Sequence, residues 1–429
     1  MLATMRIAFP VLLLSFAFGS SVQLQAAAAD PEGHWVSVWT ASQYAPLKFL
    51  PFPSETPITG TLRMVVRPSL GGERIRLRLS NTYGTTALQA GAVHIALTDS
   101  ESKIVPGTDR AVTFGGSPAI TIPAGAPAVS DPVDLSVKAL AELSVSIYLP
   151  SQTEISTWHR GAQHDSYLAG PGDMTSSLEL PHPETKHAWY FLSAIEMWEP
   201  PTTTAVVAFG DSITEGSNNL PKSYADYPDQ LSERMAGRDR HGSMAFVNEG
   251  IGGNRILHDG AGASALARFD TDVLSNPGVS NLIVLEGIND IGFPRIRMAE
   301  LKIPNVTLKE NIFASQKVSS DQMVQGLQQI ATRAHDHRIR VFCGTLMPFE
   351  GTNSYDAEGE AIRQSVNTWI RSSTVFDGVV DFDALVRDPD HPSRLRSAYD
   401  SGDHIHPNPD GYKAMADLAS KLSFATPKQ

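Results

Sequence analysis

Cysteine is nearly absent: Cys343 is the only one in 429 residues. That excludes an intramolecular disulfide and any zinc site built on paired cysteines. Cys343 lies in the apolar run Val341-Phe342-Cys343, which predicts a buried thiol rather than a nucleophile. Long hydrophobic runs are scarce as well. The run from Ile7 to Phe18 spans about 12 residues and is interrupted by Pro10, too short to cross a bilayer stably. With Arg6 before it and the small residues Ala26 to Ala29 after it, the segment 1–29 predicts a signal peptide. The mature chain is then expected to be secreted or periplasmic, with no integral membrane segment after cleavage. Positive charge is in deficit, with 34 Lys and Arg against 46 Asp and Glu, a formal net charge of −12. Removing the leader takes away Arg6 and no acid. Such a chain repels phosphate polyanions, so nucleic acid is not expected as a partner, whereas a neutral polysaccharide or a small ester meets no such repulsion. Known metal patterns are missing too. There is no His-Glu-x-x-His, and Gly250-x-Gly252 lacks the glycine at 255 that a dinucleotide fingerprint requires, Arg255 standing there instead. No metal and no organic cofactor is expected.

What is present suits a folded chain of more than one domain. Hydrophobic residues make up 41% and charged residues 19%, more apolar than a disordered chain, and the length suits two domains plus a leader. From residue 30 to 199 the pattern has period two. Ile75, Leu77 and Leu79 alternate with Arg74, Arg76 and Arg78, and Leu143, Val145, Ile147 and Leu149 alternate with Ser144, Ser146 and Tyr148. Runs of this kind make half-buried strands, and Gly and Pro clusters between them predict a β-sandwich-like accessory domain. The arginines are expected on a solvated sheet face. Trp158-His159-Arg160-Gly161 and Gly170-Pro171-Gly172 read as a loop at a domain interface, with a place on the rim of the site as the alternative.

Pro200-Pro201 marks a change of pattern. In 200–429, strand-like runs at Ala205–Phe209, Ala245–Asn248, Asn281–Glu286, Arg340–Leu346 and Gly378–Phe382 alternate with helical segments. One helix starts near Ser319, with Gln322 placed for a capping box and Met323, Leu327, Ile330, Ala331 and Ala334 on one face. The last starts near Asp410. Strands alternating with helices imply a parallel, doubly wound sheet, whose ligands bind outside the carboxyl ends of the strands.

The chemistry-bearing residues fall at those ends. Val206 to Phe209 runs straight into Gly210-Asp211-Ser212, which places the Ser212 hydroxyl at a strand-to-helix turn. Serine is also a common helix cap, so this motif alone decides nothing. Near the C-terminus, Pro407 keeps His406 out of helical geometry, and Asp403 is close enough for one turn to bring its carboxylate to an imidazole nitrogen. The other nitrogen can then take a proton from Ser212. His404 is the internal competitor. Asn248-Glu249-Gly250-Ile251-Gly252-Gly253 follows the second strand, and Gly287-Ile288-Asn289-Asp290 follows the third. These turns can bring backbone amides and the Asn289 side chain to the same crevice. The segment Ile291 to Val318 is long for a connection and is expected to shape a pocket.

In these blocks the sequence resembles the SGNH or GDSL hydrolases, from about Thr204 to Leu422. Gly210-Asp211-Ser212, Gly253, Gly287-x-Asn289-Asp290 and Asp403-x-x-His406-Pro407 stand in the family's order, with Ile213 replacing the leucine of the family name. The N-terminal region looks more loosely like the β-rich domain that precedes some secreted bacterial members. The resemblance implies a three-layer, doubly wound, flavodoxin-like α/β domain at 200–429. It also implies a serine esterase in which Ser212 is the nucleophile, His406 the base and Asp403 the residue that orients it. The amides of Ser212 and Gly253 and the side chain of Asn289 would form the oxyanion hole. The expected reaction is hydrolysis of acyl esters through an acyl-enzyme, with acetyl or other short acyl groups on carbohydrates as the leading substrate. Short-chain aryl or lipid esters are the alternative, and a sugar-binding protein with an idle hydrolase fold is the reading from another class.

Overall fold

Apolar alternation in the N-terminal region produces two antiparallel sheets. In this computed structural model the described residues are 32–46, 56–162, 164–219, 223–236, 244–300 and 310–424, so the leader expected at 1–29 lies outside them. One sheet runs in the order His34–Thr40, Leu192–Glu199, Gly72–Ser80 and Val133–Val137, with Pro127–Val129 pairing onto Gly72–Ser80. The other is built on Ile58–Val66, Leu143–Thr153 and Ala92–Ser100. Ile75, Leu77, Leu79, Leu143, Val145, Ile147 and Leu149 all turn into one core, as their spacing predicts.

The polar halves of those two runs depart from expectation. Arg76 and Arg78 do not form a solvated face: both ion-pair with Glu196, whose side chain is fully buried, and the Arg76 guanidinium stacks 4.2 Å from the Trp35 ring. Arg74 is half-buried as well. Ser144 and Ser146 are buried because the outer face is also covered. Ser146 Oγ accepts a hydrogen bond from Arg63 Nε (2.8 Å), and Ser144 Oγ lies 2.8 Å from Thr98 Oγ1. Both partners are remote in sequence, so no local pattern predicts them.

Beyond Pro200 the chain builds a parallel sheet. Its strands are β1 (Thr204–Gly210), β2 (Met244–Gly250), β3 (Val279–Leu285), β4 (Arg340–Gly344) and β5 (Gly378–Val380), in the order β2-β1-β3-β4-β5. This is the flavodoxin-like order, which reverses direction beside β1 and opens a crevice there. The register makes the strand ends level, because Gly210 pairs with Gly250 on one side and with Leu285 on the other. Whatever follows these three strands emerges at one level.

The helices are α1 (Ser212–Glu215), α2 (Tyr227–Met235), α3 (Ala265–Phe269), α4 (Ile288–Gly292), α5 (Ser320–Asp336), α6 (Ala357–Ser372), α7 (Phe382–Val386) and α8 (Pro409–Ala419). One group packs α2 and α7 on α8, and another packs α3 and α6 on α5. The Ser319–Gln322 capping box is present at the start of α5, whose buried face holds Met323, Leu327, Ile330, Ala331 and Ala334. Among the described residues no helix is long and apolar enough to cross a membrane.

The two regions share a boundary. Ala205, Ala245 and Ile251 of the second region pack within the apolar core of the first. Polar contacts reinforce this: Ser42 Oγ donates to Glu249 Oε2 (2.6 Å), and Ser37 N donates to the Pro277 carbonyl (3.0 Å).

Candidate active site

Ser212 is delivered by a strand that is buried from Ala205 to Gly210. Asp211 caps the short helix that follows, its side chain accepting from Ile213 N (2.9 Å), and Gly216 ends it with a φ of 98°. Burial pushes the Asp211 carboxyl up to about 7, although the Ile213 N–H and the nearby His406 pull the other way. Asp211 thus shapes the turn, and Ser212 opens α1. Its amide is among those that a helix start leaves without an intrahelical acceptor.

His406 Nε2 lies 2.7 Å from Ser212 Oγ, and His406 Nδ1 lies 2.6 Å from Asp403 Oδ2. A carboxylate can only accept, so Nδ1 carries the hydrogen and Nε2 is left to accept from the serine hydroxyl. The turn that holds this series is closed on itself. Ser401 N donates to the His406 carbonyl (3.1 Å), and Asn408 N to the Tyr399 carbonyl (2.8 Å). Asp403 Oδ1 accepts from His406 N (2.9 Å) and Ile405 N (3.1 Å). Burial alone would raise the Asp403 carboxyl, but its bonds to the His406 side chain and to these amides hold it well below the usual carboxylate range. His404 is directed elsewhere. Its Nδ1 meets Asp400 Oδ2 at 2.7 Å, and its ring packs on Gly351.

The other two expected residues, Gly253 and Asn289, are linked through Asn254, which follows Gly253 in the chain. Gly253 has a φ of +81°, and an added Cβ there would lie 3.1 Å from the Phe293 ring, so both backbone and space favour glycine. Asn289, on α4, donates through Nδ2 to the carbonyl of Asn254, the residue after Gly253 (3.0 Å). The amide retains a second N–H.

Three supporting residues were not singled out by sequence. Asn218 Nδ2 donates to Asp403 Oδ2 (2.6 Å) and to Ser401 Oγ (3.1 Å). Asn254 fixes its own turn by donating to the carbonyls of Ala261 (2.9 Å) and Ala263 (2.8 Å) while accepting from Arg268 Nε (2.9 Å). Asp290 accepts from Ile256 N (2.6 Å) and Leu257 N (3.0 Å). Burial pushes the Asp290 carboxyl up to about 6 against those two amides. Asp290 closes the Gly287-x-Asn289-Asp290 block and Asn254 follows Gly253, and those positions were the available signal. Asn218 carried none.

Arg255, which spoils the dinucleotide fingerprint, is buried and has another task. It donates to Gln316 Oε1 (2.7 Å) and lies over the Phe313 ring at 5.0 Å. It thereby holds the described end of the long Ile291–Val318 segment, whose residues 301–309 lie outside the described ones, near Phe293 and Gly253. Trp158–Arg160 is a strand paired with Ala188–Tyr190, and its His159 lies at the boundary between the two regions. Gly172 instead joins the Ile58–Val66 strand through Thr61 Oγ1 (2.9 Å). Cys343 is buried, which pushes its thiol up, away from reactivity. Among the described residues no group of three or more His, Cys, Asp or Glu is placed to hold a metal ion.

Residues 208–414 match the GDSL-like lipase/acylhydrolase family. Among solved structures, a lipolytic protein of the G-D-S-L family from Desulfitobacterium hafniense is 20% identical, over 51% of this chain and 98% of that one, with a TM-score of 0.36. A GDSL-like lipase from Bacteroides thetaiotaomicron is 19% identical over 51% and 86%, with a TM-score of 0.35. An acetylxylan esterase from Geobacillus stearothermophilus is 18% identical over 52% and 97%, with a TM-score of 0.37. No curated protein matches the chain.

Proposed function

We propose that this acylhydrolase is a secreted or periplasmic serine esterase that removes acetyl or other short acyl groups from carbohydrates, working on a three-layer doubly wound frame. The observation that carries the reading is the hydrogen-bonded series from Ser212 Oγ through His406 to Asp403. Ser212 Oγ attacks the acyl carbon while its proton passes to His406 Nε2. Asp403, kept ionised, stabilises the imidazolium that forms. His406 returns that proton to the departing sugar oxygen, leaving an acyl-Ser212 ester. Water then attacks the ester, giving up its proton to His406, which passes it to Ser212 Oγ as the acyl–oxygen bond breaks, and the acid is released. The amides of Ser212 and Gly253 with Asn289 Nδ2 receive the charge that develops on the carbonyl oxygen.

Phe293 beside Gly253 supports a short acyl group. The net charge supports a neutral carbohydrate rather than a phosphorylated one. The leader-like segment 1–29 supports export.

The test is hydrolysis of p-nitrophenyl acetate and of acetylated oligosaccharides against longer acyl esters, with Ser212→Ala as control and fluorophosphonate labelling of the wild type. Expected are labelling of Ser212 alone, abolished turnover in Ser212→Ala and a preference for acetyl. Labelling of another serine, or turnover that survives Ser212→Ala, overturns the mechanism.

A further inference from the structure

The short helix behind Ser212 ends in a carboxyl that the proposed mechanism does not use. Glu215 is buried at the foot of α1, and its surroundings come from both regions of the chain. From the second region it accepts the backbone N–H of Gly252 and a hydrogen bond from Ser217 Oγ (3.2 Å). The approach of that loop is so close that a Cβ on Gly252 would stand 2.7 Å from Glu215 Oε2, and one on Gly250 would stand 2.2 Å from Glu215 N. From the N-terminal region His159 turns its Nε2 toward Glu215 Oε1 at 3.5 Å. An added Cβ on Gly161 would lie 3.7 Å from the same oxygen.

The His159 imidazole is itself held. Its Nδ1 donates to the Ser42 carbonyl (2.8 Å), so in neutral His159 the Nε2 facing Glu215 carries a lone pair. Tyr44 braces the same strand, its hydroxyl lying 3.0 Å from both the carbonyl and the N–H of Arg160. It also supports the far end of the glycine loop, since a Cβ on Gly262 would rest 3.5 Å from Tyr44 Cβ. A lone pair facing a carboxylate repels it, so one proton must sit between His159 and Glu215. Burial pushes Glu215 up to about 7 and His159 down to about 4, which places that proton on the carboxyl. A neutral carboxyl can point its proton toward His159 Nε2, 3.5 Å away, with one oxygen and accept from Gly252 with the other.

We propose that Glu215 is a positioning residue through which the N-terminal region, by His159, holds the Gly252–Gly253 turn at the height of Ser212. The proposal rests on the reading of Gly253 as an oxyanion donor. Displacing that amide by a fraction of an ångström weakens the transition state while leaving the ester's ground-state binding almost untouched. It also gives the N-terminal region a part in the chemistry, although no member of the hydrogen-bonded series lies in it.

The test compares Glu215→Ala, Glu215→Gln and His159→Phe in the full chain, with turnover of p-nitrophenyl acetate expressed per fluorophosphonate-reactive Ser212. Wild-type turnover that depends on Ser212 is established first, so a failure of the esterase reading appears there and nowhere else. A misplacement of this kind costs about 10²-fold. Glu215→Ala is expected to lose about that factor in kcat with KM within about twofold. An amide can donate to His159 and accept from Gly252, so Glu215→Gln should recover kcat to within about threefold of wild type. His159→Phe keeps an aromatic ring but removes both nitrogens, and should lose about tenfold. If Glu215→Ala yields no folded protein, His159→Phe decides: a fall in kcat supports the relay and an unchanged kcat overturns it. The proposal is also overturned if Glu215→Ala keeps its kcat per reactive serine, or if Glu215→Gln is as damaged as Glu215→Ala.

Discussion

The two regions bury charge for different ends. In the N-terminal region, Glu196 lies under Arg76 and Arg78 and ties the strands of one sheet, while Arg63 donates to the carbonyls of Thr175 (3.0 Å) and Ser177 (2.8 Å) and fastens a loop to the other sheet. In the second region the buried acids Asp211, Glu215 and Asp290 accept mainly from backbone N–H groups, and each such amide belongs to a turn around Ser212 or Gly253. Burial pushes all three carboxyls up, so each is held at a cost. A packed sheet needs few buried acids, whereas a crevice lined by fixed amides needs acceptors behind them to set their direction. The comparison assigns the large rate effects to residues at the carboxyl ends of β1 to β3 and to the 400–407 turn.

The strongest way to break it is at the histidines. His406→Ala should lose several orders of magnitude in kcat, as removal of a triad member does. His404→Ala, which removes only the pair with Asp400, should stay within about tenfold. Steady-state kinetics on both variants checks this, and the reverse order would place the base on the wrong side of the turn. Next comes Asn289→Ala. Removing one oxyanion donor costs about 10²–10³ in kcat with little change in KM. A turn residue would show lost thermal stability instead, with kcat per folded molecule preserved, so kcat, KM and Tm measured together separate the two.

The sequence was most informative where a residue's task is local. All five parallel strands, the Ser319 capping box and the Asp403-to-His406 spacing are short-range patterns, and the structure places them within a residue or two of the expected bounds. Tasks that depend on distant partners were not legible. Arg76 and Arg78 look like a solvated face until Glu196 arrives from a strand more than a hundred residues away. Ser144 and Ser146 look exposed until the sheet's outer face is covered by Arg63 and its loop. His159 meets Glu215 only after both regions have packed.

Asn218 is the clearest case of a site residue without a sequence signal, and it sharpens the comparison at smaller amplitude. It holds a φ of 66° and donates to the same Asp403 oxygen that receives His406 Nδ1. The site is exposed, so the bond belongs at the low end for a charged acceptor, about 1.5 kcal/mol. Asn218→Ala should therefore lower kcat about tenfold with KM unchanged, and Asn218→Asp, which sets a second carboxylate against Asp403, should do worse. An unaltered kcat in Asn218→Ala would leave the closed turn as the sole support of Asp403.

The smallest effect expected is on stability, and it is read against pH. Asp211 and Glu215 are each pushed up to about 7 by burial, Glu249 to about 8 and Asp290 to about 6, all in the second region, whereas an unfolded chain ionises such groups near 4. A carboxyl raised in the folded state gives its full stability below the unfolded value and loses it as pH rises through the folded one. The window is therefore about pH 4 to 8, and Tm should fall across it. His159, pushed down to about 4, acts oppositely, since it costs stability as pH falls below about 6.5. His258 is lowered too, but Glu199, Asp226, Asp229, Asp272 and Glu286 are raised by burial alongside those four acids, so the net slope should still be downward from pH 5.5 to 8.5. Glu249→Gln isolates one contributor. Its Oε1 can accept from Asn276 Nδ2, and its Nε2 can donate to Ser42 Oγ once that hydroxyl turns its own proton away from residue 249. That variant should match wild type at pH 5.5, exceed it at pH 8.5 and show a shallower slope in thermal melts. A Tm that rises with pH in the wild type would mean that these acids are ionised and paired in the fold, and the contrast between the two regions would then lose its electrostatic basis.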